Sequence, residues 1–156
     1  MPRQKILLPH NFSDYDHRVL DFVVKMFAHL KDVEVTLFNV YSPVPEIQDF
    51  VHEAQILDKL KKNLNQISGQ IKVQEKALYE VRETLIKKGF QEDDVRCIFK
   101  VRKTDTAGEI IALSRQERFD VIVINHKQGK FTRFFTGNIF EKVIRALKDT
   151  AICVVN

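Results

Sequence analysis

Three stretches of this chain place groups that can hold an anion or a polar ring. Pro9-His10-Asn11-Phe12-Ser13 follows a short apolar run, and Val40-Tyr41 closes another. The third stretch leaves Ile124-Asn125, crosses a basic segment and arrives at Gly137-Asn138-Ile139. His126, Lys127, Lys130 and Arg133 lie in that segment, with Gln128 and Gly129 between them. Cations in a loop that opens onto a helix start stabilise phosphate, because unpaired N–H groups and the positive helix end favour anions there. Such a loop serves equally well as a solvated charged connection. Asn11 has the donors and acceptors to bind a base edge or a ribose, and it is also a good turn residue. Phe131, Phe134 and Phe135 stand out in so polar a segment. Loop aromatics of this kind pack back on the core or meet a partner.

Other chemistries lack their parts. Ser13 and His17 have a Ser-x-x-x-His spacing without a third member, and Ser13 reads better as a helix cap than as a nucleophile. No carboxylate occurs between Asn125 and Asn138 to orient water on a phosphate. The chain is therefore not expected to be an enzyme, with a slow ATPase as a minor alternative. There is no GxxxxGK[ST] loop, no GxGxxG, no HExxH and no paired-cysteine zinc pattern, so no metal site is expected. Cys97 and Cys153 sit inside apolar runs and read as small buried hydrophobes in a reducing compartment.

The elements that must position these groups follow from periodicity. At 156 residues, 44% hydrophobic and 29% charged, the chain has material for one well-packed domain and none of the bias of a disordered segment. A net charge of +4 suits anionic small molecules, while its scatter argues against nucleic acid. The apolar run near the N-terminus is too short for a signal peptide and no stretch can span a bilayer, so a soluble cytoplasmic protein is expected. Strands are predicted at 5–9, 33–40, 95–101, 120–125 and 151–155, and helices at about 14–30, 54–88, 106–117 and 137–147. Thr106 and Glu109 are expected to form a capping box. Leu57, Leu60, Leu64, Ile67, Ile71, Leu78, Val81 and Leu85 alternate three-four spacing, with Gln74 filling the gap. A coiled coil has this pattern, but a long surface helix laying one stripe on a sheet is the preferred reading. Ser68-Gly69 is a candidate bend in it. Strand alternating with helix means a parallel sheet covered on both faces, with ligands beyond the carboxyl ends of the strands.

Taken in order, these segments resemble the universal stress protein (UspA-like) family over nearly the whole chain. Ile6-Leu-Leu-Pro-His-Asn-Phe-Ser13 is similar to the family's opening strand and Val-Pro-x-Asp-x-Ser turn. Val35-Thr-Leu-Phe-Asn-Val-Tyr41 is similar to its second strand, which usually ends His-Val. Ala107-Gly-Glu-Ile-Ile and Phe119-Asp-Val-Ile-Val-Ile match Ala-x-x-Ile and Ala-Asp-Leu-Ile-Val-Met. Gly137-Asn-Ile-Phe-Glu-Lys-Val-Ile is similar to Gly-Ser-Val-Ala-Glu-x-Val, and the ending Ala151-Ile-Cys-Val-Val to Pro-Val-x-Val-Val. The resemblance implies an open five-stranded parallel sheet in the order 3-2-1-4-5, of the adenine-nucleotide-hydrolase-like kind, within one domain at 1–156. It also implies a homodimer. Independently, a final strand of Ala151, Ile152, Cys153, Val154 and Val155 offers an apolar edge to a second copy.

One branch of the family binds ATP through Gly-x2-Gly-x9-Gly-[Ser/Thr] with an Asp after the first strand, which implies ATP or AMP as ligand, with Mg²⁺ beside ATP. Here Asn125 and Gln128 replace the first two glycines, the spacing to Gly137 is one residue short, Asn138 replaces the Ser or Thr, and Asn11 replaces the Asp. Glycine matters because the backbone must approach phosphate closely or turn with positive φ. Asn adopts left-handed φ tolerably and Gln does not, although Gly129 can take over in a shifted loop. The phosphate motif reads as degenerate. The expectation is a dimeric stress-response protein acting through unidentified protein partners without standard ATP binding. The alternative is an adenine-nucleotide switch built from the residues above around an unusual loop.

Overall fold

Ile6, Leu7 and Leu8 are all buried, because strand alternation sends Ile6 and Leu8 to one face of a sheet and Leu7 to the other. A strand with two apolar faces belongs at the centre, and this one does. A computed structural model describes residues 2–12, 16–44, 54–125 and 139–156. Its five strands, β1 (Gln4–Pro9), β2 (Val33–Tyr41), β3 (Val95–Val101), β4 (Val121–Asn125) and β5 (Ala151–Val155), form one parallel sheet in the order β3-β2-β1-β4-β5. The helices are α1 (Asp16–Phe27), α2 (Ala54–Lys87), α3 (Thr106–Glu117) and α4 (Ile139–Ala146). On one face Val19 and Val23 of α1 and Leu78 and Leu85 of α2 pack on Ile6, Leu8, Val35 and Leu37. On the other, Ala107, Ile110 and Leu113 of α3 and Val143 of α4 pack on Leu7, Phe38, Ile122 and Ile124. Each parallel crossover therefore covers one face, and β1 and β4 meet where the winding reverses.

The long helix departs from the expected packing. It runs unbroken through Ser68-Gly69, and a methyl group at Gly69 would meet nothing within 4 Å. Its 34 residues span about 50 Å. The nine residues of β2 cover only about 30 Å. Because α2 runs antiparallel to the strands, its N-terminal half overruns their carboxyl ends. Leu78, Val81, Leu85 and Ile86 reach the core, whereas Leu57 to Ile71 join neither cluster among the described residues and remain half-buried. The stripe lies on the sheet only from Leu78 onward. At the other end Gly89, with φ of 123°, ends the helix. Its N–H donates to the Ile86 carbonyl and that of Phe90 to the Leu85 carbonyl, while Phe90 and Leu85 are both buried. That is a Schellman arrangement, and it aims the chain into β3.

Other boundaries also shift. α1 stops at Phe27 and Leu30 is exposed, because Asp32 takes a positive φ of 63° in the turn to β2. Ser13 and Asp14, expected to start α1, lie outside the described residues, as do Gly137 and Asn138 ahead of α4. The cap of α3 is Asp105 rather than Thr106. The Asp105 carboxylate accepts from the Gly108 N–H at 2.7 Å and from Lys142 Nζ at 2.6 Å. Glu109 reaches past the cap to accept from the N–H groups of Lys103 and Thr104. The cap thus sits one residue before Thr106, and Glu109 takes backbone donors two and three residues before Thr106.

Candidate functional site

Beyond the carboxyl ends of β1, β2 and β4 lies a cleft of about 190 Å³. Its two sides are chemically different. Pro9, Phe38, Val40, Ile110, Ile124 and Ile139 belong to the α3–α4 side and make it apolar. His10, Asp16, Asn39 and Gln74 line the α1–α2 side and make it polar. Asn11, Thr106 and Asn125 complete the lining. Strand alternation is the cause. Phe38 and Val40 turn toward α3 and α4, while Asn39 between them turns toward α2.

A chain of hydrogen bonds orders the polar side. Asn39 Nδ2 donates to the His10 carbonyl at 2.6 Å, and Gln74 Nε2 donates to Asn39 Oδ1 at 2.7 Å. The His10 N–H donates to the Phe38 carbonyl, so the turn after β1 is tied to β2. His10 Nε2 faces Asp16 Oδ2 at 3.5 Å with both side chains buried. Burial pushes the His10 imidazole below its ordinary value, and Asp16 pulls the other way without overcoming it. Burial thus favours the neutral imidazole, the form that can both donate and accept. Phe12 adopts a positive φ of 57° and packs its ring edge-on to His10 at 4.8 Å. A non-glycine residue in that conformation costs about 1–2 kcal/mol, and here the His10 and core contacts hold it in place.

Of the residues singled out in the sequence, Pro9, His10, Asn11, Val40, Ile124, Asn125 and Ile139 line this one cleft. Phe12 does not, because its ring turns under the polar side into the core. Lys127, Gln128, Gly129, Gly137 and Asn138 lie outside the described residues, together with His126, the loop phenylalanines and Ser13. His17 is exposed on α1. Asp16, Phe38, Asn39, Gln74, Thr106 and Ile110 were not foreseen as lining. Two of them had a signal: Asn39 interrupts the apolar row Val33, Val35 and Leu37 on one strand face, and Gln74 interrupts an otherwise apolar helix stripe. Among the described residues no three His, Cys, Asp or Glu side chains gather into a metal site. Nor is any described helix long and apolar enough to cross a membrane.

The universal stress protein family model matches residues 2–154. The chain belongs to that family. Solved structures agree on the fold of this universal stress protein. UspA from Lactobacillus plantarum superposes with a TM-score of 0.66 at 14% identity, over 100% of this chain and 99% of that one. A universal stress protein in complex with cAMP gives 0.63 at 19% identity, over 100% and 99%. The Archaeoglobus fulgidus universal stress protein in complex with dAMP gives 0.59 at 18% identity, over the whole of both chains. No curated protein sequence matches this chain. At such identities the likeness establishes the open parallel fold, and any ligand must be argued from the residues present.

Proposed function

We propose that this universal stress protein is a cytoplasmic, dimeric regulator of the stress response whose cleft takes an adenine mononucleotide instead of serving as a standard ATP site. The observation that carries this reading is the two-sided cleft. A flat heteroaromatic ring gains from burial against Phe38, Val40 and Ile124, and its polar edge meets hydrogen-bonding groups on the other side. The relatives described with cAMP and dAMP support an adenine ring as the occupant. The changed positions Asn11, Asn125, Gln128 and Asn138 count against a full triphosphate grip. Calorimetry and thermal melting with AMP, cAMP, ADP and ATP, each with and without Mg²⁺, test the proposal. AMP or cAMP at a hundredfold excess over its dissociation constant should stabilise the fold by about 2.7 kcal/mol, a rise of several degrees. A larger response to Mg-ATP would restore the standard site, and no response to any nucleotide would leave a protein acting through partners alone.

The dimer rests on β5. It pairs with β4 alone among the described strands, and Val154 on it is 37% exposed. An outer strand with an apolar row is a template for a second copy. Val154→Lys should convert the protein to monomers in light scattering, and an unchanged mass would reject pairing through this edge.

A further inference from the structure

Gln74 is the one polar member of the α2 stripe, and it occupies the turn where the helix leaves the sheet and passes the cleft. Its partner Asn39 is 7% exposed on a strand face otherwise filled by Val35 and Leu37. Two amides at such positions forgo apolar burial, and their arrangement has a direction. The chain of bonds ends on the His10 carbonyl, which can only accept. Asn39 must therefore turn its Nδ2 toward that carbonyl, and its Oδ1 toward Gln74. Gln74 in turn must present Nε2 to Asn39 and keep Oε1 for another partner. Reversing either amide would set oxygen against oxygen, with the loss of a buried hydrogen bond.

We infer that Gln74, held in this polarity by Asn39 and the His10 carbonyl, is the residue that selects the base, accepting from an exocyclic amino group and rejecting a carbonyl at the same place. The inference rests on the nucleotide reading of the cleft given above. AMP and IMP separate the two cases, since they share size and phosphate. Adenine carries an amino donor at its sixth position, and hypoxanthine carries a carbonyl there and a donor at the neighbouring ring nitrogen. A base edge facing the wrong group costs about tenfold or more in affinity.

The test is the ratio of AMP to IMP dissociation constants, measured by calorimetry on the whole chain and on Gln74→Leu and Gln74→Met. Each ratio is read on a single preparation, so any unfolded fraction cancels. Leu extends the existing apolar stripe, and Met keeps the length of Gln. The wild type should prefer AMP by about tenfold or more. Both variants should take the two nucleotides within about twofold, chiefly by losing AMP affinity. If either variant keeps the wild-type ratio, or the wild type itself does not discriminate, Gln74 is not the selecting residue even though nucleotides bind. If the wild type binds neither nucleotide, the functional reading fails and the inference falls with it.

Discussion

Leu85→Ala should destabilise the protein by about 3 kcal/mol, within the range for a buried leucine that leaves a cavity, whereas Leu64→Ala on the same helical stripe should cost less than about 1 kcal/mol. Leu85 is fully buried between α1, the sheet and Phe90, and its carbonyl accepts the closing bond of the helix terminus. Its truncation removes methyl groups from a site with several well-packed neighbours. Leu64 lies on the overrunning half of α2, half-buried and outside both core clusters. Urea unfolding of the two variants measures the contrast. Equal losses would mean that α2 is packed along its whole length, and the geometric argument for an overrun would be wrong.

Glu109→Ala should cost about 3 kcal/mol near pH 7, because it removes the charge partner of Lys100 and leaves two backbone donors without their acceptor. The carboxylate is 4% exposed, accepts from Lys103 N–H at 2.6 Å and Thr104 N–H at 2.9 Å, and faces Lys100 Nζ at 3.2 Å. Burial by itself would raise its pKa. The N–H donors of Thr104 and Lys103 together with Lys100 outweigh burial and hold it below the ordinary 4.5. A carboxyl group with a lower pKa in the folded state releases its proton more readily there. Its contribution is fully present above the unfolded value and is lost as pH falls through 4.5 toward the folded value. Denaturant titrations at several pH values should therefore show wild type and variant converging below about pH 4.5, where the acid limb of the wild type steepens. A difference that stays constant from pH 7 to pH 3 would mean that Glu109 acts by packing and not by its charge.

The fold was legible because its signals are local and repeated. Lys5 to Pro9 and Val121 to Asn125 are largely apolar runs, Val33 to Val40 alternates apolar and polar residues at its start, and the alternation of such strands with amphipathic helices leaves few topologies. The order of the strands came from the family resemblance. The lining of the cleft was half legible. Pro9, Val40 and Asn125 close strands, and His10 and Asn11 follow one, so all had to lie at the carboxyl edge of the sheet. The place of Asn39 and Gln74 in the cleft is not readable from sequence, because it arises from a meeting of β2 and α2 that no spacing encodes. Each was visible only as a polar residue out of pattern. The overrun of α2 was missed for a different reason: periodicity reports which face is apolar, and only the length of the sheet decides how much of that face it can cover. The Thr-x-x-Glu spacing points to Thr106 as the cap, yet Asp105 beside it bonds both Gly108 and Lys142.

The most direct test of the cleft as a ligand site is a titration of the ¹⁵N-labelled protein with AMP, followed by amide NMR. Binding there should shift the amides of His10, Asn11, Val40 and Asn125 and of the first turn of α3 together, with a common dissociation constant, and leave those of Lys88 to Asp94 at the opposite end of the sheet unmoved. Saturable shifts confined to that opposite end, or no shift anywhere at millimolar AMP, would contradict the assignment.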